Sequence, residues 1–140
     1  MKPHVTLITL GVSDLQRSLE FYRDGLALPT DGILGDEFEY GATVNFRLDG
    51  NLILALWPYT SIQTDSGVET GRSETVSFSL AHNVNSKEEV DEVLIQAEAA
   101  GAQIVDRPKV RFWGGYGGYF RDPDGHLWEV AWNPDIVVED

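Results

Sequence analysis

The sequence predicts an α+β fold in which one unit, strand–helix–strand–strand–strand (βαβββ), occurs twice. Three observations predict it. The stretch 49–57, Asp-Gly-Asn-Leu-Ile-Leu-Ala-Leu-Trp, aligns without gaps on 124–132, Asp-Gly-His-Leu-Trp-Glu-Val-Ala-Trp. Phe46-Arg47 precedes the first turn as Phe120-Arg121 precedes the second. A strand pattern followed by a capped helix pattern opens each half, and a polar stretch separates the halves. A small sheet of this kind has one helix-covered face and one bare face. The two bare faces are expected to meet, or to curl around a shared cavity.

In chain order, Val5 to Val12 alternates as a strand, with Val5, Leu7 and Thr9 on one face and Thr6, Ile8 and Leu10 on the other. Ser13-Asp14-Leu15-Gln16 fits a capping box. The helix after it carries Leu15, Leu19, Tyr22 and Leu26 at helical spacing and stops at Gly25. Pro29 to Gly35 has turn residues around Ile33-Leu34 and no assigned element. Ala42 to Leu48 and Leu52 to Trp57 form the first hairpin. Residues 1–58 make module one, and 59–74 read as a mobile linker rich in Ser, Thr and Gly. Module two covers about 75–134. It holds a strand from Thr75 to Ala81, then a second capping box, Ser86-Lys87-Glu88-Glu89. The helix has Val90, Val93, Leu94 and Ala97 on one face and acidic residues on the other, and Gly101 closes it. Gln103 to Arg111 is strand-like, with Pro108 marking an edge or a bulge. Phe112 to Gly118 is an aromatic, glycine-rich loop. The last hairpin turns at Asp122-Pro123-Asp124-Gly125, where proline presets φ, aspartate caps its own backbone and glycine accepts positive φ.

The chain has 140 residues, one domain's worth (1–140), and no cysteine, which excludes disulfide and thiolate chemistry. Neither a membrane-spanning apolar run nor a signal peptide is visible, so the expected location is cytoplasmic. A net charge of −13 argues against nucleic acid and anionic membranes as partners. It suits a cationic ligand, although solubility alone explains many acidic proteins.

Strand alternation isolates one residue. Glu129 is a carboxylate flanked on its own face by Leu127 and Ala131. Such a group needs a partner, a raised pKa or a metal. Trp57, Phe112, Trp113, Tyr116 and Tyr119 lie near hairpin ends or the glycine loop. Several aromatics of this set serve the core, but a loop this rich in glycine suits one wall of a ligand pocket. Arg111 and Arg121 either pair with Glu129, orient an anionic ligand group, or form surface ion pairs of little weight. His82 reads as a structural histidine, and His4 and His126 add no metal-binding spacing.

Val12-Ser13-Asp14-Leu15 to Ser18-Leu19-Glu20-Phe21-Tyr22, and Phe120-Arg121-Asp122-Pro123-Asp124-Gly125-His126-Leu127-Trp128-Glu129-Val130, resemble the two motifs of the vicinal oxygen chelate superfamily. That group contains glyoxalase I, bleomycin resistance proteins and extradiol dioxygenases. The resemblance implies paired βαβββ modules with curled mixed sheets around a central cavity, and a homodimer. Its four metal-ligand positions fall by motif on Leu7, Leu54, Ser77 and Glu129. A slip of one residue gives Thr6, Ala55 or Val76 instead. Only Glu129 has ligand chemistry, so the chain looks nearest to the metal-free, bleomycin-resistance-like members. The expected function is sequestration of a small, partly aromatic or cationic molecule with no cofactor. The alternatives are a silent partner-binding module and a lyase, isomerase or dioxygenase. Such an enzyme would use Glu129 as general base, or as ligand to zinc, nickel, manganese or iron.

Overall fold

In a computed structural model describing residues 1–139, the chain forms two compact units, Met1–Arg72 and Ser73–Asp140. Each holds one open four-stranded mixed sheet.

The first unit runs β1 (Leu7–Val12), α1 (Leu15–Glu20), β2 (Thr30–Leu34), β3 (Thr43–Arg47), β4 (Ile53–Pro58) and α2 (Tyr59–Ser66). The sheet order is β1-β4-β3-β2, with β1 parallel to β4 and the remaining pairs antiparallel. The cap of α1 is Asp14 rather than Ser13: its carboxylate accepts from the Arg17 N–H at 3.0 Å. Gln16 donates to Glu20 instead of closing a box. The helix loosens into a π turn over Phe21–Gly25, where the Leu26 N–H bonds the Phe21 carbonyl. Tyr22 and Phe46 meet at 5.7 Å between ring centres, so the face bearing Phe46, Leu54 and Leu56 is the helix-covered one. All four of these side chains are buried.

The second unit runs β5 (Leu80–Val84), α3 (Lys87–Ala99), β6 (Gln103–Val110), β7 (Tyr116–Arg121) and β8 (Leu127–Trp132), with sheet order β5-β8-β7-β6. Ser86 caps α3 by accepting from the Glu89 N–H at 3.2 Å, and the Asn85 N–H donates to the Glu89 carboxylate at 3.2 Å. Val90, Leu94 and Ala97 of α3, with Phe120 and Val130 of the sheet, form the buried core. The helix approaches β7 so closely that a Cβ on Gly118 would lie 2.7 Å from Leu94 Cδ1.

Several expectations change: Thr30–Leu34 is strand β2 where the sequence assigns no element, and Tyr116–Gly118 belongs to β7 rather than to the glycine-rich loop. The stretch 59–74 is not all linker, because Tyr59–Ser66 is helical and ends on Gly67 at φ 74°. The ring of Tyr59 packs on Gly11 of β1, and the Thr70 hydroxyl donates to the Tyr59 carbonyl at 2.6 Å. The strand expected from Thr75 begins only at Leu80. Its neighbour β8 starts at Leu127, just past the turn, so residues 75–78 lie beyond the start of that strand.

Candidate functional site

The second sheet positions the site. Tyr116, Phe120, Val130 and Trp132 lie on its helix-covered face: the Tyr116 hydroxyl donates to Asp91 of α3, and Lys87 of α3 sits over the Trp132 ring. Alternation then puts Gly117, Tyr119 and Arg121 of β7 on the bare face with Leu127, Glu129 and Ala131 of β8. Tyr119 and Glu129 are directly opposed, as are Arg121 and Leu127.

The turn that sets this register is built as its sequence requires. Asp122 Oδ1 accepts from the N–H groups of Asp124 (3.0 Å) and His126 (2.9 Å), and Gly125 takes φ 88°.

On the bare face the Tyr119 hydroxyl donates to Glu129 Oε2 at 2.8 Å. That bond, reinforced by burial and by the carboxylate's charge, raises the Tyr119 pKa above its ordinary value. Arg111 reaches back over the tyrosine ring, its guanidinium carbon 5.6 Å from the ring centre. It is held there by donating to the Gly117 carbonyl from Nε (2.9 Å) and Nη2 (2.6 Å), and to Asp106 Oδ2 from Nη1 (2.8 Å). The Arg111 bond, with help from Lys109, keeps the Asp106 carboxyl below its usual pKa. The arrangement is a chain, Asp106–Arg111–Tyr119–Glu129, in which the arginine fixes the ring and the ring's hydroxyl orients the carboxylate.

The structure therefore brings Arg111, Tyr119 and Glu129 together, with Arg121 diagonal to Glu129 on the same face, and turns Tyr116 and Phe112 away from them. Tyr116 turns to the helix. Phe112 stands fully exposed at the tip of the β6–β7 connection, while Trp113 folds back over Gly115. Trp57 lies in the first unit, where its indole N–H donates to the Tyr40 carbonyl at 3.0 Å. His82 pairs in register with Val130 and remains exposed at the surface. Crowding around the ring still lowers its pKa, against the opposing pull of Glu89. Asp106 was not singled out from the sequence. Its only signal was its place two residues before Pro108, where the β6 pairing slips.

The family's metal positions do not fit a metal. Leu7 cannot coordinate and is 44% exposed. Leu54 is turned to the helix-covered face beside Phe46, so the bare-face residues of β4 are Ile53, Ala55 and Trp57. Ala55 offers no donor atom either. Ser77 precedes β5 and is exposed. Glu129 is the one coordinating side chain of the set, and the described residues contain no cluster of three or more His, Cys, Asp or Glu able to hold a metal ion.

Comparison with known proteins agrees with this architecture. The chain is 29% identical over 124 residues to the uncharacterized protein YraH of Bacillus subtilis (strain 168), covering 88% of this chain and 93% of that one. It superposes with a TM-score of 0.83 on a glyoxalase-related enzyme from Fulvimarina pelagi, at 33% identity over 98% of this chain and 93% of the other. A glyoxalase/bleomycin resistance protein/dioxygenase from Nocardioides gives a TM-score of 0.77 at 25% identity, covering 99% and 91%. Residues 3–130 match the model of one family, and with it the paired hairpins and the Asp-Pro-Asp-Gly turn find their common explanation: the chain belongs to the Glyoxalase/Bleomycin resistance protein/Dioxygenase superfamily.

Proposed function

We propose that this protein binds a small organic molecule on the bare face of its second sheet, with Glu129 holding the ligand's polar end and no metal taking part. The observation that carries the reading is the Tyr119–Glu129 hydrogen bond, which gives the Glu129 carboxylate a protein partner where a metal would otherwise be its partner. Leu7, Ala55 and Ser77 supply no coordinating atom of useful strength, which supports the same reading. The ligand is expected to be partly aromatic or cationic, in keeping with a carboxylate beside an aromatic ring and a net charge of −13. Sequestration of a drug or metabolite by a cytoplasmic homodimer is the biological form we assign to this binding.

The test is a thermal-shift screen of aromatic and cationic small molecules against wild type and Glu129→Gln. Hits should lose roughly 1–3 kcal/mol of affinity in the variant while the protein stays folded. If stability falls and the affinity of the folded variant is unchanged, Glu129 is structural and the reading is wrong.

A second reading has its own support. A tyrosine hydroxyl on a carboxylate is an acid–base pair, and one relative is described as a glyoxalase-related enzyme. Here Glu129 would act as general base in a lyase or isomerase reaction. Turnover of a bound hit, abolished by Glu129→Gln, would favour it.

A further inference from the structure

Among the described residues, one buried side-chain polar atom lacks a hydrogen-bond partner. Arg121 Nη1 is buried without an acceptor, the sole such side-chain nitrogen or oxygen among the described residues. Nη2 of the same guanidinium makes one long bond, 3.3 Å to the Glu74 carbonyl. A guanidinium has five donors and no acceptor, and a buried donor left unmade is costly. Natural structures rarely keep such a group without a use for it.

Its place suggests the use. Arg121 is two residues from Tyr119 on the same strand and face, and diagonal to Glu129 across the β7–β8 ladder. Diagonal side chains of this kind start about 7–8 Å apart. One end of the pair, Glu129, is a hydrogen-bond acceptor. The other is a cation short of acceptors.

We propose that Arg121 binds an anionic group of the ligand, so that the site takes a zwitterionic or donor-bearing carboxylate, its donor end on Glu129 and its carboxylate on Arg121. This rests on the Glu129 reading above and adds the second anchor. Arg121 leaves its packed position to form a bidentate pair with the carboxylate, exchanging an unsatisfied donor for a charge-assisted bond.

The probe is 4-(aminomethyl)benzoate, with benzylamine as the analogue lacking the carboxylate. Calorimetric titration of the full chain should show the benzoate binding at least tenfold more tightly than benzylamine. In Arg121→Met that preference should disappear while benzylamine affinity is kept, and the melting temperature should equal or exceed that of wild type, because an unsatisfied buried donor has been removed. Glu129→Gln should weaken both compounds. If Arg121→Met keeps the preference for the carboxylate, or wild type shows none, the Arg121 assignment is overturned, and the Glu129 reading is judged by Glu129→Gln alone. Arg121→Lys, which retains the charge, should restore part of the preference. If neither compound binds saturably, the proposal is overturned. If both bind and Glu129→Gln affects neither, the Glu129 reading itself fails.

Discussion

Tyr119 and Glu129 oppose each other across β7 and β8, and the tyrosine hydroxyl donates to the carboxylate at 2.8 Å. The bond holds the phenol proton more tightly in the folded protein than in the unfolded chain, where tyrosine titrates near its ordinary value. A raised folded pKa means that the associated stability is fully present below about pH 10 and is lost as pH rises through the folded value. Carbon NMR of labelled tyrosine should show Tyr119 titrating above the reference. In Glu129→Gln it should move back toward the reference, since the bond to the carboxylate is the largest cause of the shift.

Arg111 should prove a positioning residue. Its side chain is 13% exposed, and its bonds go to Gly117 and Asp106. Arg111→Lys keeps the charge but not the fork, so it should destabilise by about 1–3 kcal/mol in chemical denaturation. Asp106 titrates below its usual range because of Arg111. Its contribution is therefore present above the ordinary carboxylate pKa and lost as pH falls through the folded one, and Arg111→Lys should reduce this acid sensitivity.

Gly118 is where α3 touches the sheet. A methyl group there would lie 2.7 Å from Leu94 Cδ1, 2.8 Å from the Asp106 carbonyl and 3.0 Å from the Pro108 nitrogen. Two of these are backbone atoms, which cannot swing aside. Gly118→Ala should cost about 1–3 kcal/mol by overpacking, read as a lowered denaturation midpoint.

A homodimer is expected in solution. Leu7 of the edge strand β1 is 44% exposed, and Val5 just ahead of it 65%. An edge of this kind is usually covered. Sedimentation at micromolar concentration should give twice the chain mass, and a monomer would contradict the expectation.

The repeated hairpins and helix caps made the two-module architecture legible, since turn chemistry at Asp122–Gly125 and the apolar spacing on α3 are local signals. Strand register is the part that local pattern does not fix. The gapless alignment of 49–57 on 124–132 equated Leu54 with Glu129. In the sheets, however, Leu54 lies beside Ile8, while Glu129 lies beside Ala81 and faces the other way from the core. A slip of one residue exchanges faces, and no pattern within β4 reveals it because its residues are apolar on both. The helix Tyr59–Ser66 leaves little trace in the sequence, because its apolar residues do not line one face and one long-range contact, Tyr59 on Gly11, helps to hold it. At the site, Glu129 was visible as a carboxylate in an apolar strand. Asp106 was hidden, because its role depends on Arg111 folding back across the β6–β7 turn. Phe112 and Trp113 looked like pocket walls by composition, but Phe112 extends away from the sheet.

The central claim is that Glu129 serves an organic ligand rather than a metal. Elemental analysis of protein purified without chelator tests it most directly. The account predicts zinc, nickel, manganese and iron each far below one equivalent per chain, with ligand binding unaffected by chelator. About one tightly held ion per chain, lost in Glu129→Gln, would contradict it.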